Sequence, residues 1–202
     1  MAIRLLFAML LSVSLCSVAE TKHETLGSGY IVGAAKADIT PPPGFPTGGH
    51  GSAGAIVRGS WSRLWARAFF IKQKDGPAVV LVSCDFFAEP LGLTAAVWRM
   101  LTEQTELVHN GELKPEGLVI AATHTHQGPG NYMSSASYNG FGSVQAGFSE
   151  ELFDFLAHQI LAAIQGAAKN AQPATLRLYH KEIWGGDYKT PFLVNRSPGV
   201  FM

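Results

Sequence analysis

Gly117-Leu118-Val119-Ile120-Ala121-Ala122-Thr123-His124-Thr125-His126-Gln127-Gly128-Pro129-Gly130 is the stretch on which the fold turns. Its first six residues form a short apolar run, the pattern of a strand in a sheet covered on both faces. The run passes directly into two histidines and a Gly-Pro-Gly loop. Upstream, Pro77 to Ser83 (PAVVLVS) is a second such run, and it ends in Cys84-Asp85. Leu93 to Leu107 lies between them, with Ala95, Val97, Trp98, Leu101 and Leu107 at helical spacing. Strand, helix, strand in this order predicts a parallel pair joined by a crossover. Ligands of open α/β sheets sit beyond the carboxyl ends of such strands. Asp85, His124 and His126 therefore fall on one edge of one sheet.

The flanking sequence extends this pattern. Tyr30 to Ile39 has strand character and stops at Thr40-Pro41-Pro42-Pro43, with Lys22 to Ser28 before it as a polar lead-in. Gly44 to Gly59 is a long glycine-rich loop carrying His50. Trp61 to Gln73 reads as a strand, and the turn Lys74-Asp75-Gly76 joins it to Pro77–Ser83 as a hairpin. A second Gly-rich loop covers Asn131 to Gly147. Ser149 is placed to cap a helix, with Glu150 and Glu151 in its first turn. Phe153, Leu156, Ile160 and Ile164 form its apolar face, and His158 points away from them. Thr175 to Ile183 reads as a last strand. The predicted class is α/β: a mixed, partly parallel sheet with flanking helices and long Gly-rich loops.

Imidazole is a common metal ligand and a proton carrier near neutral pH. Residues two apart on extended backbone project to one side, so His124 and His126 can serve one centre. The same string also describes a strand end with two exposed histidines. Asp85 has two roles open to it, orienting a histidine or capping the following turn. Arg196, in Leu193-Val194-Asn195-Arg196-Ser197-Pro198, suits a substrate oxygen or a developing oxyanion, and equally a surface loop. Ser197 lacks the glycines of a nucleophile elbow, and no phosphate-binding or dinucleotide motif occurs.

Composition excludes other classes. Hydrophobic residues make up 47% and charged residues 15%, which excludes a disordered chain. Fifteen basic residues balance fifteen acidic ones, so no net field attracts nucleic acid. Residues 1–19 read as a secretory signal peptide: Arg4, an apolar stretch from Leu5, then Ser17-Val18-Ala19 before cleavage at Glu20. The apolar run falls short of the ~20 residues that a membrane span needs. The expected location is secreted or periplasmic. Removal of that segment leaves Cys84 as the single cysteine, expected as a buried thiol.

The strings Gly33–Pro41 (GAAKADITP), Arg63–Phe69 (RLWARAF), Val80–Asp85 (VLVSCD), Ala122–Gly130 (ATHTHQGPG) and Asn195–Pro198 (NRSP) resemble, in order, the neutral/alkaline non-lysosomal ceramidase family. The resemblance makes residues 20–202 the N-terminal portion of a ceramidase-like catalytic domain. It implies zinc-dependent hydrolysis of the N-acyl amide of ceramide to sphingosine and a fatty acid. A ceramide-like lipid, met at a membrane or micelle surface, is the implied partner. His124 matches a zinc ligand, and His126 and Arg196 match catalytic residues. The family's other zinc ligands and its active-site serine are expected beyond Met202, so residues 20–202 alone are expected to be inactive. Gln127 stands where a serine is usual, and His50 replaces a methionine-rich stretch. Related readings are a zinc hydrolase of another N-acyl amide or ester, and a non-catalytic lipid- or glycan-binding domain that kept the fold.

Overall fold

The computed structural model describes residues 22–180. Five strands form one sheet: β1 (Lys22–Asp38), β2 (Trp65–Gln73), β3 (Ala78–Cys84), β4 (Leu113–Ala122) and β5 (Gln172–His180). Their order is β4-β3-β2-β1-β5, and only β3 and β4 run parallel. The helices are α1 (Leu91–Gln104), the short α2 (Glu106–His109), α3 (Ala136–Phe141) and α4 (Glu150–Lys169). The expected hairpin is present, with β2 and β3 paired antiparallel from Ala66↔Cys84 to Lys72↔Ala78. The expected crossover is α1 with α2 between β3 and β4.

Helix α4 covers one face of the sheet. Ser149 caps it, its Oγ accepting a hydrogen bond from the Leu152 N–H at 3.2 Å. Leu156, Ile160 and Ile164 are fully buried against β1 and β2 and meet Ala66, Ala68 and Phe70 in one core. Each such side chain contributes about 1.5–3 kcal/mol by leaving water. The helix lies so close to β1 that Gly33 has no room for a side chain. A Cβ there would collide with the backbone oxygen of Ala167 and lie 2.7 Å from the Ala171 nitrogen.

Two expectations need correction. Lys22 to Ser28 is not a lead-in but the first part of β1, paired with β5 through bulges around Gly27 and Gly29. Polar residues suffice there because an edge ladder is held by backbone hydrogen bonds. Among the described residues the β3 run is covered on one face only. Ala78, Val80, Val82 and Cys84 are buried, whereas Val79 and Leu81 are about 40% exposed. Phe69, Leu81 and Val119 stand side by side in register on that outer face, all exposed. A continuous apolar run therefore marked a strand here without marking two covering layers. The last strand is described from Gln172 to His180, and the rest of the expected Thr175–Ile183 strand lies outside the described residues together with the signal segment.

The Gly33 contact yields a test. Glycine to alanine in a strand ordinarily stabilises. Gly33→Ala should instead cost about 1–3 kcal/mol through overpacking against backbone that cannot retreat. Gly59→Ala, where a Cβ meets nothing within 4 Å, should stay within about 0.5 kcal/mol. Urea midpoints of the two variants in the intact protein check this, and equal midpoints would contradict it.

Candidate active site

The parallel β3/β4 pair carries two loops off its carboxyl end. Backbone pairing continues past the strands: Thr123 N–H donates to Cys84 O at 2.9 Å and His124 N–H to Phe86 O at 3.1 Å. The histidine loop is thus stitched to the loop after β3. His124 departs from extended geometry, with φ at +62°. The left-handed region is costly for a residue with a Cβ and is typical of functional loops. The two histidines therefore do not share a side by strand alternation. They converge because the backbone turns at the first of them.

The convergence is close. His124 Nε2 and His126 Nε2 lie 3.3 Å apart, with ring centroids at 4.9 Å and planes at 80°. His124 Nδ1 lies 2.6 Å from the carbonyl oxygen of Phe87. A carbonyl can only accept, so the proton sits on Nδ1 and the Nε2 lone pair is free to bind. Metal-ligating histidines are fixed in this way. The Nδ1 edge of His126 lies against Gly49, whose backbone hydrogen-bonds to the ring. Desolvation lowers the pKa of His126, helped by the charges of His50 and His124. The ring therefore favours its neutral form, the form that binds metal.

These donors suit zinc. Two nitrogens on one tetrahedral zinc, with bonds of about 2.0–2.1 Å, stand roughly 3.3 Å apart. The pair does not by itself make a metal site: no group of three histidine, cysteine or acidic residues gathers for a metal among the described residues.

Asp85 lies on the same sheet edge as expected but does not orient a histidine. Both its oxygens accept from Arg67 Nη1 at 2.9 Å, and Oδ2 also accepts from the Trp65 N–H at 2.9 Å. It ties β2 to the loop leaving β3 through the guanidinium on the neighbouring strand. Arg196 lies outside the described residues. His180 ends β5, on the sheet edge opposite β4.

His50 was not legible as a site residue, yet its ring centroid is 5.0 Å from that of His126. The glycine-rich segment that carries it is pinned rather than loose. Gly48 N–H donates to Gly128 O, Gly49 N–H to Gly142 O, and Gly130 N–H to Pro46 O, at 2.7–3.0 Å. The signal available in sequence was Gly48-Gly49 itself, a pair that lets backbone approach a ring. Tyr132 was also missed. Its hydroxyl donates to Ala88 O at 2.7 Å, and its ring packs on Phe86 and Phe87 beneath the histidines.

Residues 30–202 match the family profile of the neutral/alkaline non-lysosomal ceramidases, N-terminal part. The chain belongs to this family. Neutral ceramidase A of Dictyostelium discoideum is 30% identical over 179 residues, covering 86% of this chain and 23% of that protein. The neutral ceramidase of Pseudomonas aeruginosa is 32% identical over 150 residues, covering 73% and 21%. The crystal structure of neutral ceramidase from that organism superposes with a TM-score of 0.63 at 30% identity, over 73% of this chain and 22% of that one. A ceramidase complexed with C2 gives 0.62 at 28% identity, with the same coverage. The chain thus spans less than a quarter of the length of these ceramidases.

Cys84, buried at the end of β3 beside Asp85, offers a check on this geometry. Burial, with Asp85 and Glu89 adding to it, pushes its pKa up to about 12. At pH 8 the group is a neutral thiol, and only the thiolate attacks. Iodoacetamide at pH 8 should leave Cys84 unmodified in the native protein and alkylate it after unfolding, as read by peptide mass spectrometry. Rapid native alkylation would contradict the buried placement.

Proposed function

We propose that the protein of which this chain is part is a zinc-dependent amidohydrolase that cleaves the N-acyl amide of ceramide. The observation that carries the reading is the His124/His126 pair, with the Phe87 carbonyl holding the His124 tautomer. Family membership supports ceramide as the substrate class.

His124 would hold zinc through Nε2. The metal, when bound, would polarise the amide carbonyl and acidify a water. Phe87 O holds a proton on Nδ1 of His124, which leaves Nε2 as the lone-pair nitrogen of the neutral ring. His126, held between Gly49 and His124, faces the same point and would contact the water or substrate. Arg196 would offer a planar fork to the developing negative charge on the amide oxygen.

Two features support a lipid partner. Residues 123–149 contain no Asp, Glu, Lys or Arg, where the chain average of 30 in 202 would give about four. Within that segment Tyr138, Phe141, Val144 and Phe148 are exposed. A cavity of about 510 Å³ opens there, lined by Met133, Ala136, Gly140, Gly147 and Phe148 among others. Its walls suit an alkyl chain rather than a charged ligand. An uncharged aromatic surface also suits contact with a membrane or micelle. Export of the protein, from the segment before Glu20, would bring it to such surfaces.

The test uses the intact protein. His124→Ala should lower both bound zinc and ceramide amidase activity. His126→Ala should lower activity more than zinc. Arg196→Lys should keep fold and zinc while losing rate, because lysine lacks the planar fork. Zinc by mass spectrometry and fatty-acid release from ceramide provide the readouts. Full zinc and activity in the His124 variant would overturn the reading.

A further inference from the structure

We propose that His50 is a positioning residue for His126, acting by ring packing. The inference takes from the functional reading only that His126 serves the reaction.

The case begins with the backbone. Gly48 lies flush on the Phe87 ring, where a Cβ would collide with Cδ1. Gly49 follows at φ +85°, and a Cβ there would stand 2.7 Å from both Cε1 and Nδ1 of His126. Two consecutive residues are thus reduced to bare backbone so that the chain can cross over the aromatic pair. Gly51 resumes a left-handed turn at φ +58°. His50 is the one residue of Gly48–Gly51 with a side chain, and its ring meets His126 edge to face at 65°.

His126 is consequently bounded on four sides. Gly49 closes its Nδ1 edge, His124 faces Nε2, Phe87 stands at 6.2 Å, and His50 at 5.0 Å. His50 adds a fourth neighbour to a ring that is otherwise partly open to solvent. Rings in such contact attract one another beyond the burial of area, which favours the rotamer that keeps the contact. The anchor is itself fixed: Gly49 and Gly51 N–H both donate to Gly142 O, and Thr47 forms a bridge with Pro129. His50 thereby links the loop after β1 to the histidine loop after β4.

The contact is one of shape, so an aromatic ring without nitrogens should preserve it. The experiment compares wild type, His50→Ala and His50→Phe in the intact, zinc-loaded protein. Imidazole ¹⁵N–¹H spectra report the His126 ring directly. In His50→Ala the His126 signals should shift and broaden, and His50→Phe should return them close to wild-type sharpness. With ceramide, His50→Ala should lower kcat about tenfold, a modest share of what misplacement near a reacting centre can cost. KM should change less than twofold, zinc content should hold, and His50→Phe should recover most of the rate. Unchanged His126 signals in His50→Ala would overturn the proposal, as would failure of His50→Phe to restore them. Absence of amidase activity in the wild type would overturn the functional reading alone, with the ring spectra still deciding this one.

Discussion

The parallel pairing of β3 with β4 is the constraint on which the rest depends. It brings two strand ends side by side, and the pairing persists for two more residues as Thr123 bonds to Cys84 and His124 to Phe86. That extension sets the His124 imidazole against the Phe87 carbonyl and fixes which nitrogen is free. Asp85 and Arg67 clamp the same corner from the β2 side. The clamp is a half-buried ion pair with an added backbone donor, the kind of charged contact worth about 1.5–3 kcal/mol per hydrogen bond. A site ligand held by backbone on a paired strand end is placed more rigidly than one on a free loop.

The second constraint is glycine at points of closest approach. Gly33 lets α4 settle on β1, and Gly49 lets the His50 segment reach His126. The first sets the core and the second closes the site. Both are distances that a single Cβ would change, and packed interiors transmit such changes because they hold few voids.

Strand and helix periodicity made most of the fold legible in the sequence. The hairpin, the crossover, the Ser149 cap and the α4 face all followed from local patterns. The first part of β1 did not, because its pairing with β5 joins segments far apart in the chain and depends on no side-chain pattern. The covering of β3 also misread, since an apolar residue on an outer sheet face looks the same in sequence as one in the core. Of the site, the His124–His126 string was legible. The left-handed turn at His124 was not, because a histidine gives no sign of positive φ. His50 was hidden for a related reason: a contact between residues 50 and 126 appears only once two loops are folded together. Asp85 was placed on the right edge with two roles left open, and neither named Arg67, because strand order, not spacing, put that residue beside it.

In the proposed reading the Phe87 carbonyl fixes His124 as an Nε2 ligand for zinc. Anomalous diffraction at the zinc edge, from crystals of the intact zinc-loaded protein, is the decisive measurement. A zinc peak at His124 Nε2, with Nδ1 still on the Phe87 oxygen, is expected. A zinc bound through Nδ1, or a zinc site that leaves His124 out, would contradict it.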